Sequence, residues 1–211
     1  YIINPSFENG NGGWTNVGLA NQSNNSFTKK NGGYYMEKWV GSGSVGDASI
    51  KQTIKGLPNG IYKITVAAQN YTQTNTSKKN TGAYIFAGDQ QTTVYTPADY
   101  SVKFPIISGE VEIGFIAKGA TGNWICVDNF RLYLIGKVDA EAVVAEVKRI
   151  IADAEALQSS AMSSTAAATL QSAIDAAKQI TTASADAEIQ TATKNLNAAI
   201  EAAKVSIAEV T

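Results

Sequence analysis

The chain offers few side chains for acid–base chemistry, and only one pair of glutamates has a suitable spacing. Glu110 and Glu112 alternate with Val111 and Ile113 in a run typical of a strand. Side chains two positions apart share a strand face, so these carboxylates should lie about 7 Å apart, close to the separation used by glycosidases. Alternating glutamates are also common on the solvent face of a strand. We favour that interpretation and keep a small glycosidase or lyase using both glutamates as an alternative.

The composition excludes several other chemistries. The 211 residues include no histidine and one cysteine, which removes Ser-His-Asp and Cys-His triads and the usual ligands of a zinc site. Cys126 lies in an apolar run typical of a strand, and we expect a buried, unreactive thiol. Residues 41–46 are rich in glycine but lack the Lys-Ser/Thr pair of a phosphate-binding loop. These observations favour a protein without catalytic activity.

Charge and hydropathy narrow the choice of partners. The formal net charge is −1 at pH 7, which gives no overall field to attract a nucleic acid or an anionic membrane. No run approaches the roughly 20 apolar residues of a membrane span. We expect neither nucleic-acid binding nor membrane insertion.

Aromatic side chains indicate a binding function instead. All three tryptophans (Trp14, Trp39 and Trp124) and all nine tyrosines precede Gly136. Aromatic faces stack against the C–H faces of sugar rings, while amide and ammonium groups hydrogen-bond to the hydroxyls. A carbohydrate is therefore the partner that this composition favours.

The sequence up to Gly136 has the patterns of β-strands, and these strands must position the candidate residues. Short runs rich in Val, Ile, Tyr and Thr alternate apolar and polar residues, and Asn-Gly, Gly-Gly and Pro-Asn-Gly turns separate them. About eight to ten strands in this length predict an antiparallel β-sandwich or jelly roll over residues 1–136.

If successive strands reverse direction, every second loop falls at the same end of the sandwich. Those loops are residues 40–47, 70–81, 96–97 and 118–123. Six aromatic and amide side chains should gather there, with Gln69 and Lys118 nearby. The predicted ligand-binding residues are Trp39, Asn70, Tyr71, Tyr95, Asn123 and Trp124. The alternative is that both tryptophans point into the core, since Trp124 shares strand parity with Cys126.

The spacing of the apolar residues changes from the alternation of strands to the spacing of helices after Gly136. Asp139 is a suitable helix N-cap, and apolar residues then recur at helical spacing in three stretches, the second starting near 163–164 and the third near Ser184. Short Ser/Thr-rich connections predict an all-α, up-down-up three-helix bundle over 137–211. We interpret this alanine-rich half as a stiff spacer.

Three groups of motifs in the first 135 residues share one resemblance. They are Asn4-Pro5-Ser6-Phe7-Glu8 with Gly13-Trp14, Gln52-Thr53-Ile54 with Leu57-Pro58-Asn59-Gly60-Ile61-Tyr62, and Asn123-Trp124 with Val127-Asp128-Asn129-Phe130-Arg131-Leu132. Together they resemble the galactose-binding-like jelly rolls that serve as carbohydrate-binding modules attached to bacterial glycoside hydrolases. The near copies Leu170–Ala177 and Leu196–Ala203 make the helical half similar to the small repeat bundles that act as spacers in bacterial surface proteins.

The resemblance to these modules implies a metal site and a setting. In such modules the first and last strands pair, and a structural calcium often lies near that pairing. Glu8 and Asp128 are the matching residues here, and oxygen ligands suit a hard cation. The alternative is that Asp128 accepts hydrogen bonds from backbone donors with no metal. The resemblance also implies an extracellular, cell-surface or periplasmic location and further domains in a larger chain.

The prediction drawn from these patterns is a non-catalytic module that binds a polysaccharide or oligosaccharide, followed by a helical spacer. The main alternative is a structural or protein-interaction module that orients a neighbouring glycoside hydrolase domain.

Overall fold

The computed structural model describes residues 1–210 and divides the chain into two compact units. The first unit comprises Tyr1–Gly56, Ile61–Phe104 and Val111–Ile135. The second comprises the chain from Gly136 together with two short earlier segments, Leu57–Gly60 and Pro105–Glu110.

The first unit is built on two antiparallel five-stranded sheets, and the predicted fold class is confirmed. The first sheet has the order β1-β4-β9-β6-β7 and the second β2-β3-β10-β5-β8. The strands are β1 (Thr15–Val17), β2 (Ala20–Gln22), β3 (Tyr35–Trp39), β4 (Gly46–Lys55), β5 (Gly60–Tyr71), β6 (Ala83–Ala87), β7 (Gln90–Thr93), β8 (Ala98–Ile106), β9 (Glu110–Ala120) and β10 (Trp124–Gly136).

Strand parity assigns the two faces of the second sheet. On β10 and β5, alternate residues such as Ile125, Val127 and Val66 are fully buried and form the core between the sheets. β10 pairs with β3 so that Trp124 lies opposite Trp39. Residues opposite each other in a sheet share a face, so Trp39 and Trp124 lie on the same side. Because Trp124 alternates with the core residue Ile125, that side is the outer face of the sheet.

A backbone irregularity at Asn129, midway along β10, changes this parity. Asn129 has a φ of 54°, in the left-handed region that asparagine tolerates better than most residues. Phe130 then packs against Phe7 and Trp14, with ring centroids 6.0 and 4.6 Å away. Trp14 is therefore a core residue, buried against Phe7 and Phe130.

The second unit is a three-helix bundle of α1 (Ala140–Leu157), α2 (Ser164–Ala177) and α3 (Asp186–Val210). Asp139 caps α1 by accepting from the backbone N–H groups of Glu141 and Ala142, and Ser163 caps α2. The core is aliphatic, with one stripe from each helix, as the helical spacing predicts. Val147, Ile150, Leu170, Ile174, Leu196 and Ile200 are among its buried residues. No helix within residues 1–210 is long and apolar enough to cross a membrane.

The two earlier segments belong to this unit because they bind α3. Gln190 Nε2 donates to Leu57 O at 3.1 Å and to Asn59 Oδ1 at 2.9 Å. Thr193 Oγ1 donates to Ile107 O at 3.2 Å. Ile107 itself is buried in the core of the bundle.

Replacing Ile107 by alanine should lower the free energy of unfolding of the helical unit by about 2–4 kcal/mol, because it leaves a cavity in an aliphatic core. Val205→Ala on α3 is the matched control, since that side chain is 59% exposed and its loss should cost less than about 0.5 kcal/mol. Urea denaturation followed by circular dichroism at the helical band measures both. Equal stability of the two variants would show that Ile107 does not belong to the core.

Candidate functional site

One end of the sandwich is formed by loops that hydrogen-bond to one another through their backbones. Val40 N donates to Asn123 O at 2.9 Å, and Asn123 N donates to Tyr71 O at 2.9 Å. Asn70 N donates to Tyr95 O at 2.6 Å. The segments around residues 40, 71, 95 and 123 therefore meet at this end, which we call the loop end.

Trp39 provides the exposed aromatic surface of the loop end. It is the last residue of β3, and 54% of its surface is exposed. Its Nε1 donates to Gln73 Oε1 at 2.7 Å. Gln73 is positioned in turn by its backbone N–H, which donates to Asn123 Oδ1 at 2.9 Å, while Asn123 Nδ2 donates to Val40 O at 3.1 Å. The indole is thus held in one orientation while its face remains accessible.

Tyr71 and Trp124 lie next to each other on the outer face of the second sheet. Their rings make an edge-to-face contact with centroids 6.4 Å apart. Trp124 is buried, at 7% exposure, and its Nε1 donates to Glu37 Oε2 at 2.9 Å. Tyr71 is half-buried. Trp124 therefore supports Tyr71 and offers little stacking surface of its own.

The remaining predicted ligand-binding residues differ in accessibility. Tyr95 is exposed, at 38%. Asn70 is buried, because its Nδ2 donates to Thr81 O at 2.9 Å and its Oδ1 accepts from Gly122 N at 3.1 Å. Asn70 and the buried Asn123 position the loops and do not face solvent.

The sequence pattern missed Glu37 and Gln73. Glu37 accepts from Trp124 Nε1, from Tyr35 OH at 3.2 Å and from Gln22 Nε2 at 3.0 Å. Burial raises the pKa of the Tyr35 hydroxyl well above its usual value, and the Glu37 carboxylate adds to this. Tyr35, Glu37 and Trp39 alternate along β3, so a parity argument from Trp39 would have found Glu37.

Cys126 and Gln69 lie beside this carboxylate on the same face. Gln69 Nε2 donates to Cys126 Sγ at 3.2 Å, and its Oε1 is buried with no hydrogen-bond partner among the described residues. Cys126 is fully buried. Burial raises the pKa of its thiol well above the usual value, with a further contribution from Glu37, which disfavours the reactive thiolate.

Glu8 and Asp128 both bind the segment that leads into β3. Asp128 is fully buried, and its carboxylate accepts from Asn31 N and Asn129 N at 2.6 Å each. Glu8 accepts from Gly33 N at 2.9 Å and from Tyr34 N at 3.1 Å.

The charge state of Asp128 depends on this environment. Burial raises the pKa of the Asp128 carboxyl from 3.8 to about 7, the two backbone N–H donors oppose the increase, and Glu8 adds to it. Among residues 1–210 no group of three or more acidic, cysteine or histidine side chains could hold a metal ion. The two carboxylates therefore fit a hard cation only if main-chain carbonyl oxygens complete its coordination.

The glutamates considered for catalysis lie two positions apart at the start of β9. Glu112 forms an ion pair with Lys51 at 3.2 Å, and both side chains are more than 40% exposed. Glu110 belongs to the helical unit, whereas Glu112 belongs to the sandwich. This placement agrees with a surface strand.

Comparisons with known proteins support the fold. No protein-family model matches the chain, and no curated protein is similar to it. TmCBM61, solved in complex with β-1,4-galactotriose, is 19% identical, with a TM-score of 0.50 over 64% of this chain and 98% of its own. A family 16 carbohydrate-binding module is 17% identical, with a TM-score of 0.47 over 63% of this chain and 98% of its own.

A third solved structure is similar to the chain at a lower TM-score than TmCBM61. The Stig cyclase Fisc from Fischerella sp. TAU is 18% identical, with a TM-score of 0.48 over 65% of this chain and 98% of its own. At these identities the likeness shows the fold alone. The first unit is thus a β-sandwich with a fold similar to that of TmCBM61.

Proposed function

We propose that the sandwich is a non-catalytic module that binds a polysaccharide or oligosaccharide at the loop end. The observation that carries this proposal is the indole of Trp39, which is 54% exposed and is fixed by Gln73. Gln73 is itself held by Asn123, so the indole is presented to solvent in a fixed orientation.

The neighbouring side chains suit a sugar ring stacked on Trp39. A sugar presents C–H groups on its faces and hydroxyls at its rim, so a flat apolar surface bordered by polar groups is complementary to it. Gln73 and Tyr95 are exposed, and Tyr71 is half-buried. Because the indole is already oriented, stacking costs less side-chain entropy than on a mobile residue.

Binding to a broad glycan array, followed by calorimetry on the positive oligosaccharides, tests the proposal. We expect binding without hydrolysis. A blank array together with blank pull-downs on insoluble polysaccharides would reject it, and hydrolysis that is lost after Glu110→Gln with Glu112→Gln would instead support a glycosidase.

The proposal extends to the setting of the module. We propose that it is part of a larger extracellular glycan-degrading protein and that the helical unit acts as a spacer. The residues after Gly136 contain no Trp, Tyr or Phe, so that part of the chain lacks the groups that stack on sugars.

We also propose that Glu8 and Asp128 supply the side-chain ligands of a structural calcium ion. Such an ion would neutralise two neighbouring carboxylates and stabilise the segment 31–34 that both of them bind. Gly32 faces Glu8 with a φ of 92°, and a Cβ there would collide with the Glu8 carboxylate. Only glycine allows this close approach without strain.

Calcium should raise the melting temperature at pH 8, because a ligand that binds only the folded state stabilises it by about 2.7 kcal/mol at 100 times its Kd. The increase should shrink at pH 5, where Asp128 is protonated. Scanning calorimetry with calcium, magnesium and EDTA measures it, and Asp128→Asn is the control variant that should not respond. The same melting temperature with calcium and with EDTA at pH 8 would contradict the site.

A further inference from the structure

We infer that the glycan bound at the loop end is acidic, carrying carboxylate or sulfate groups. This inference rests on the proposed function and defines its substrate class. The evidence for it is the set of charges around Trp39.

Four lysines border the loop end, and the backbone holds two of their ammonium groups in place. Lys38 Nζ donates to Asp47 O at 2.8 Å, and Lys78 Nζ donates to Thr121 O at 3.4 Å. Both acceptors are backbone carbonyls, so these contacts fix the positions of the charges without neutralising them. The four residues are Lys38, Lys78, Lys79 and Lys118.

The loop carrying Lys78 and Lys79 is anchored to the sandwich. Asn80 is buried, with its Nδ2 donating to Asn70 O at 2.8 Å and its Oδ1 accepting from Thr72 Oγ1 at 2.9 Å. Both lysines directly precede this anchor, and Gln73, which holds the indole, lies on the same short loop. The ammonium groups and the stacking surface thus belong to one structural element.

None of the four lysines has a carboxylate within 4 Å among residues 1–210, in contrast to Lys29 and Lys51 of the sandwich. Lys29 pairs with Asp99 at 3.4 Å, and Lys51 pairs with Glu112 at 3.2 Å.

The acidic residues near the loop end already accept other hydrogen bonds. Asp47 Oδ1 accepts from Gly119 N at 2.7 Å. Glu37 accepts from three side chains, as described above. These donors are neutral and leave both carboxylates charged, but the four lysines outnumber the two carboxylates. The loop end therefore has an excess of positive charge, although the chain as a whole has a net charge of −1.

A localised positive charge around one exposed aromatic surface suits an acidic polysaccharide better than a neutral one. Uncompensated charges repel one another and raise the local concentration of anionic ligands. A uronic acid offers a C–H face for Trp39 and a carboxylate for the lysines in the same ring. Single-stranded nucleic acid also combines stacking with charge. However, the sandwich has only one arginine, Arg131, and Trp39 is its only tryptophan that is not buried.

The test compares a polygalacturonate oligosaccharide with a neutral galactan oligosaccharide of the same length, by calorimetry in 20 mM and 300 mM NaCl. We expect the acidic oligosaccharide to bind at least about tenfold more tightly at low salt and to lose about tenfold in affinity at high salt, because surface charges are screened over about 10 Å or less. A variant with Lys78→Gln and Lys79→Gln should lose about three- to tenfold. Lys103→Gln is the matched control, since this exposed lysine lies in β8, about 16 Å along the strand from the loop end.

Each outcome decides the inference. Equal binding of the neutral oligosaccharide with no salt dependence would overturn it and leave the proposed function standing. Failure of every glycan on the array to bind would overturn both. Tighter binding of a single-stranded oligonucleotide than of polygalacturonate would also overturn it, as would equal losses in the Lys103→Gln control.

Discussion

Replacing Trp39 by alanine should weaken binding of the array-positive oligosaccharide by about 30- to 150-fold while leaving the melting temperature almost unchanged. Stacking one sugar ring on an indole removes roughly 100 Å² of apolar surface from water, which corresponds to about 2–3 kcal/mol. The fold should tolerate the change, because Trp39 is 54% exposed and contributes little to the core. Isothermal titration calorimetry measures the affinity, and thermal denaturation monitors the fold.

Tyr34→Ala is the matched control for Trp39→Ala. Tyr34 is also an exposed aromatic residue, at 40%, but it precedes β3 at the end opposite Trp39. The Tyr34→Ala variant should bind the oligosaccharide as tightly as the natural protein does. Trp39→Phe keeps a smaller ring and should lose less affinity than the alanine variant. Unchanged affinity of Trp39→Ala would falsify the proposed site, whatever the array shows.

Trp124 is less useful as a probe, although the sequence pattern placed it in the same predicted site. It is buried against Tyr71 and hydrogen-bonded to Glu37, so Trp124→Ala would leave a cavity costing about 3–5 kcal/mol. A loss of binding in that variant would not distinguish unfolding from the loss of a contact.

Local patterns predicted most of the architecture. Alternation predicted that Val111 and Ile113 share one face of a strand, and both are buried. The change of period placed the helices after Gly136. The N-cap of α1 followed from a single residue, Asp139, and the start of α2 was predicted near residues 163–164. These features depend on neighbours in the sequence, which is why a pattern can reveal them.

The candidate site was predicted less completely because exposure depends on distant segments. Trp39 and Trp124 share a face of one sheet, yet one is exposed and the other buried. Trp124 belongs to a cluster with Phe27, which comes from a segment that has no strand pattern. Gln73 lies in a loop whose shape depends on Asn80 and Asn123. No local rule predicts such contacts.

Asp128 should make the metal-free protein less stable as pH rises. Its pKa is raised in the folded state, to about 7, above the 3.8 expected when it is exposed to water. The folded state therefore binds this proton more tightly. The contribution of Asp128 to the free energy of unfolding is greatest below about pH 4, falls between pH 4 and 7, and is constant above that range. Between pH 5 and pH 7.5 this contribution should fall by about 2 kcal/mol or less, since solvent screening weakens the effect of a partly solvated group.

The variant Asp128→Asn should remove this fall, because asparagine does not titrate, although it loses one of the two N–H bonds that the carboxylate accepts. Asp99→Asn is the matched control, since Asp99 is an exposed partner of Lys29 and the fall should persist in that variant. Chemical denaturation in EDTA at several pH values measures all three proteins. A natural protein whose stability does not change between pH 5 and 7.5 would contradict the raised pKa, and a fall that persists in Asp128→Asn would assign it to another group. Added calcium should reverse the trend in the natural protein alone, because the cation binds the ionised carboxylate that the metal-free fold disfavours.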